Sequence, residues 1–298
     1  LTTLPWLWVV FTVIAAAAQT VRNAMQRELT GSIGTLGATH VRFLFGFPFA
    51  LVFLAAVVLW TGAPLPHPAW TFWLWVCDGS AAQIAATALM LAAMGERSFV
   101  VTIAYIKTEP IQVAVFGLIF LGDVVTLPMM IAIIVATSGV VIMSTKPGGM
   151  VGGIKPTLLG LASGGMFALS AIGYRGAILN LGLPNYLMSA TFTLAVGLVV
   201  TTAMLSSYLV VRAPTVMPAI MRVWQRSLFA GFMGAFASQF WFLAFALATA
   251  ASVRTLALIE VLFAQLVARF AFGQRTTPRE AIGMVLVVAG VVLLILAY

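Results

Sequence analysis

Lys107, Thr108, Glu109 and Pro110 stand together inside a long apolar run, and a second buried acid, Glu260, falls at the matching place 151 residues further on. An ammonium group and two carboxylates held away from water can bind the opposite charges of a small molecule or carry a proton. Lys107 would attract a carboxylate, while Glu109 or Glu260 would hold an ammonium group or a coupling proton, the opposed set that a zwitterion requires. Each charge at the centre of a membrane-spanning helix opposes insertion by about 2.5 to 3.5 kcal/mol, so Lys107 and Glu109 need partners. Two residues apart on a helix, they point to different faces, and Glu260 or Arg175 is the expected partner. The competing reading of these charges is an ion pair that fixes helix packing.

Other residues extend the candidate site. Pro110 cannot donate a backbone hydrogen bond and crowds the preceding turn, so it is the expected hinge. Gln83, Gln239 and Gln265 could add neutral hydrogen bonds, and Tyr105 and Trp241, well inside apolar runs, could form an aromatic wall or simply pack. Arg42 and Asp78 could line a cavity mouth or reach to the interface. Trp6, Trp8, Trp60 and Trp70 fall at span ends, where indoles anchor to headgroups.

The elements that must position these groups follow from composition. Of 298 residues, 62% are hydrophobic and only 7% charged, with mean hydropathy +1.12, which is the composition of an integral membrane protein and not of a soluble domain. Uncharged stretches such as 43–77 and 176–211 are too long for one span and carry Pro, Gly or Asn near their middles, so each reads as a helical hairpin. Continuous apolar runs predict helices and not barrel strands. Ten spans are expected: 4–25, 35–60, 70–94, 99–121, 127–145, 158–179, 186–211, 229–249, 253–272 and 281–297. The fold class is therefore an all-α membrane protein.

Lys146 to Pro156, rich in Gly and Pro, reads as a linker between a first five-helix half (1–145) and a second (157–298). An offset of 151 places Gly122 on Gly273, Gly139 on Gly290, Val140-Val141 on Val291-Val292 and Glu109 on Glu260. An odd number of spans in each half makes the second enter from the opposite side, giving an inverted repeat around a central cavity.

Several classes are disfavoured. His40 and His67 are far apart and Cys77 is alone, so no metal-ligand spacing and no internal disulfide is present. No cofactor is implied. The net charge of +8 is scattered over loops without a stripe, which suits anionic lipid headgroups and not nucleic acid. An enzyme would need a nucleophile with a base or paired metal ligands, and no phosphate-binding loop of an ATP-driven pump occurs.

These residues resemble the drug/metabolite transporter superfamily and its ten-helix EamA-type exporters. The likeness is carried by Arg42-Phe43, Pro110, Gly122-Asp123, Gly139-Val140, Glu280, Ile282-Gly283 and Gly290-Val291, and it spans nearly the whole chain. Arg22-Asn23 and the run from Gly37 through Arg42-Phe43 to Gly46 and Pro48 are similar to the aromatic amino acid exporters of the YddG branch. Asp123 replaces the usual Glu, and Val261 stands in place of a second proline, which breaks the symmetry expected at the kink.

The resemblance implies secondary export of small metabolites, amino acids and aromatic ones foremost, by a monomer in a bacterial inner membrane, with drugs as the alternative cargo. It also implies both termini inside. Lys and Arg concentrate at the odd-numbered connections, and by the positive-inside rule that places both termini outside.

Overall fold

The computed structural model describes residues 6–96, 105–144, 154–263, 265 and 277–297. All regular structure among them is helical. Among the described residues eleven α-helices occur, against the ten spans expected: α1 Leu7–Leu44, α2 Phe47–Thr61, α3 Trp70–Glu96, α4 Glu109–Phe116, α5 Leu127–Ser144, α6 Ile154–Asn180, α7 Tyr186–Arg212, α8 Val216–Arg222, α9 Trp224–Leu247, α10 Ala250–Leu256 and α11 Pro278–Ala297. Among the described residues six segments are long and apolar enough to cross a membrane: Glu28–Thr61, Trp70–Ala93, Thr157–Asn180, Tyr186–Arg212, Trp224–Leu247 and Pro278–Ala297. Shorter apolar helices lie at Leu7–Asn23, Glu109–Leu121 and Leu127–Met143. The extra element is α8, a short helix in the stretch expected to be a loop between spans. Most of the expected linker, the start of the expected span 99–121 and the later part of the expected span 253–272 lie outside the described residues.

The first two expected spans are divided differently from the sequence reading. Helix runs on from Leu7 to the residue before Gly34, whose φ of 70° and ψ of 175° break it. That φ lies in the left-handed region where only glycine is unstrained, so the reversal falls at Gly34. A second break at Phe45–Gly46 separates α1 from α2, with Pro48 in the first turn of α2, where its missing N–H removes nothing.

Helices pack in three main pairs: α1 with α9, α3 with α6, and α5 with α11. The α5–α11 pair shows how small residues permit this. A Cβ on Gly139 would fall 2.6 Å from the Gly283 carbonyl oxygen, and one on Gly290 would fall 2.5 Å from the Ala136 nitrogen. With no hydrophobic force between helices in lipid, such backbone approach supplies the dispersion contact that holds them. The outer surface carries exposed Leu59, Ile119, Val124, Val285 and Leu296, which suits contact with acyl chains. Trp6, Trp60 and Trp70 are exposed as anchors would be, but Trp8 is buried and belongs to the core.

Replacing Gly139 or Gly290 by Leu is expected to lower the thermal unfolding midpoint of the detergent-solubilised protein, with overpacking amounting to about 1–3 kcal/mol or more. Gly31→Ala, at a helical position where an added Cβ meets nothing within 4 Å, does not lower the midpoint in the same melt.

Candidate functional site

The centre of the site is a pair of interrupted helices. A turn at Lys107–Thr108 precedes α4, and a tight 3₁₀ turn at Ala257–Ile259 follows α10 and leads into Glu260. Thr108 closes the first turn, its N–H and its hydroxyl both donating to the Tyr105 carbonyl at 3.3 and 2.7 Å. Pro110 lies in the first turn of α4, where no intrahelical donor is needed, so it marks the start of a helix instead of kinking the middle of one. The second break forms without proline, at the position that the offset of 151 assigns to it. Val261 therefore does not abolish the interruption.

Each break presents one acid, and each acid pairs with a cation of the other. Lys107 Nζ lies 2.6 Å from Glu260 Oε2, and Arg254 Nε lies 3.0 Å from Glu109 Oε1, with all four side chains about nine-tenths buried. The first contact is a charge-assisted hydrogen bond. The second is an ion pair by distance, though its atoms are not aligned as a hydrogen bond. Backbone dipoles favour the placement, because Glu109 opens α4 and Arg254 sits in the last turn of α10.

A polar chain joins the two pairs. Gln19 on α1 donates from Nε2 to Glu260 Oε2 at 3.4 Å and accepts at Oε1 from Trp241 Nε1 at 3.0 Å. The Trp241 ring then carries the Arg254 guanidinium, 4.6 Å above its centroid, with Phe245 5.4 Å from the same cation. Lys107, Glu260, Gln19, Trp241, Arg254 and Glu109 thus form one connected array across α1, the break before α4, α9 and α10.

The array faces a hollow of about 620 Å³ of space between atoms, counting its open mouth. Only a small part of it admits whole water molecules, so the side chains nearly close it. Of the sequence-predicted residues, Lys107, Glu109, Glu260, Gln83 and Trp241 line it. Gln83 is also engaged between helices, accepting from Ser170 Oγ at 3.0 Å and donating to Thr87 Oγ1 at 3.3 Å.

Four other candidates are placed elsewhere. Arg175 partners neither Glu109 nor Glu260. Its Nε and Nη2 donate to Asp123 at 3.3 and 3.2 Å, and its Nη1 donates to the carbonyls of Phe245 and Ala248. It thereby caps the C-terminal end of α9, a structural tie. Gln239 donates to Thr191 on α7 at 2.8 Å, Gln265 donates to Glu280 at 3.4 Å, and Tyr105 packs over Gly160 of α6. Asp78 is exposed, whereas Arg42 is buried in the hollow.

Sequence reasoning missed Gln19, Arg22, Asn23, Ser238 and Arg254 as lining residues. The signal was present in α1, where Gln19, Arg22, Asn23 and Gln26 recur at helical spacing and so mark a polar stripe on an otherwise apolar helix.

No known family's model matches the chain, and no curated protein matches it. A solved crystal structure does match, 15% identical over 97% of this chain and 96% of that one, with a TM-score of 0.73. At that identity the likeness shows a shared fold across the full length of both chains.

Lys107→Met leaves Glu260 buried without its cation, and breaking such a pair destabilises by about 3–5 kcal/mol. The double variant Lys107→Met/Glu260→Leu is expected to recover most of that loss in urea or thermal unfolding, and failure to recover would show that the pair is not the main partner for either charge.

Proposed function

We propose that this chain is a secondary transporter that exports small amphipathic metabolites by alternating access. In this reading ten segments cross a bacterial inner membrane as two inverted five-helix halves, 1–145 and 157–298, around the hollow, and the protein works as a monomer. The observation that carries the reading is the reciprocal ion pairing: helices are interrupted at related places in the two halves, and each interruption holds the other's acid beside an internal hollow. Interrupted helices whose backbone and charges face a cavity are how transporters bind cargo at membrane depth. The pairings α1–α9 and α3–α6, with α5–α11 between halves, are also those that a two-fold relation would exchange or preserve.

Buried acids and bases are costly to insert, and a scaffold has no use for a hollow lined with them. The array is suited to alternating access because its pairs bridge the two halves, so rocking one half against the other must strain or exchange them. Resemblance to EamA-type exporters favours amino acids, aromatic ones foremost, and Trp241 with Phe245 supplies an apolar wall.

Counterflow into liposomes holding the purified protein tests this directly, with aromatic and aliphatic amino acids, aromatic 2-oxo acids, nucleosides and cationic drugs as the panel and with an imposed pH gradient in parallel. Saturable movement that falls at least tenfold in Glu109→Gln, while that variant stays monodisperse, is the expected result. Movement of cationic drugs alone would reassign the cargo, and no saturable movement of any compound would overturn the reading.

A further inference from the structure

The hollow holds more positive charge than its acids neutralise. Among the described residues its lining contains four cations, Arg22, Arg42, Lys107 and Arg254, against two carboxylates, Glu109 and Glu260. Lys107 and Arg254 hold those carboxylates at 2.6 and 3.0 Å. The other acids with described side chains are far from spare: Asp123 is held by Arg175, Glu28 lies by Arg226 on the surface, Glu280 accepts from the Thr277 N–H, and Asp78 is exposed.

Among the described residues Arg22 and Arg42 are therefore left without an ion pair, Glu260 acting on Arg22 only from beyond contact distance. They are 1% and 6% exposed, and their stems converge on one glycine: a Cβ on Gly234 of α9 would lie 3.1 Å from Arg42 Cγ and 3.6 Å from Arg22 Cδ. Arg22 Nη2 donates to Asn23 Oδ1 at 2.7 Å, and Arg42 Nη2 donates to Ser238 Oγ at 3.5 Å. Among the described residues nothing accepts from Nε or Nη1 of either guanidinium. Guanidinium groups stay charged and carry fixed planar donors that match carboxylate or phosphate oxygens. Two of them lining the same hollow, with buried donors that no described residue accepts from, repel each other until an anion sits between them.

We propose that Arg22 and Arg42 are the receptor for an oxyanion, a carboxylate or a phosphate, on the molecule the hollow holds, so that the cargo is a net anion and not a zwitterion. The proposal rests on the transport reading only for the word cargo. An amino acid would satisfy the arginines with its carboxylate, but its ammonium group would find both carboxylates of the hollow already paired. Phe167, Phe242 and Phe245 on the same lining leave an apolar surface for the body of such an anion.

The test keeps one ring and changes its charged group: phenyl phosphate, phenylpyruvate, phenylalanine and phenethylamine. Binding to the purified full chain is measured by calorimetry, and movement by counterflow in liposomes. Phenyl phosphate or phenylpyruvate should bind at least tenfold more tightly than phenylalanine, and phenethylamine should not bind. Which of the two anions binds better separates phosphate from carboxylate recognition. Arg22→Gln and Arg42→Gln should each weaken anion binding at least tenfold, with Arg22→Lys and Arg42→Lys retaining part of it.

Equal binding of phenylalanine and the anions, or anion binding indifferent to both Gln variants while circular dichroism shows them folded, would overturn the proposal. Should the Gln variants not fold, the Lys variants and the ranking of the four compounds decide it. Arginine-dependent binding without counterflow would remove transport and leave the anion site standing, whereas counterflow of phenylalanine alone would do the reverse.

Discussion

Two crossed ion pairs, Lys107 with Glu260 and Arg254 with Glu109, are the constraint on which the interior depends. Four charges nine-tenths removed from solvent are tolerable only in company, since desolvation of each ion opposes folding and mutual attraction in a poorly polarisable interior offsets it. Because each acid is matched to the other segment's cation, neither interrupted helix can satisfy its charges alone. The pairs therefore tie together parts of the chain about 150 residues apart, and any movement of one segment against the other is felt electrostatically by both.

The surrounding packing supplies what the charges cannot. Apolar attraction gives helices little reason to associate in lipid, so contact comes from close approach at small residues, as where Gly139 meets Gly283 and Gly290 meets Ala136. Arg175 adds a different fastening, binding Asp123 and the carbonyls at the end of α9, which holds α6, α9 and the turn after α4 in register. Away from the hollow the polar groups are mostly spent on fastening. Within it, the array and the two spare arginines are what remains for chemistry.

The interrupted segments also show why an electrostatic motif and a backbone motif coincide. A helix that stops inside an apolar environment exposes donors and acceptors, and those ends are where side-chain charge is best tolerated. Glu109 at the first turn of α4 and Arg254 in the last turn of α10 both use this. A continuous helix through either place would have met Glu109 and Glu260 with no compensating dipole.

Composition and apolar run length alone determined that the chain is helical and suited to a membrane, because backbone groups in hydrocarbon have no other partners. The sequence also marked Lys107, Glu109 and Glu260, since charged residues so placed stand out where so little is charged. Only the tertiary structure decided the partners. Arg254 falls at the start of the expected span 253–272 and Arg22 near the end of the expected span 4–25, yet both line the hollow, whereas Arg175 looked available and is occupied by Asp123 and two carbonyls. Spacing along one helix reports which residues share a face, but which faces meet, and so which charges cancel and which stay open, depends on contacts between segments about 150 to 240 residues apart.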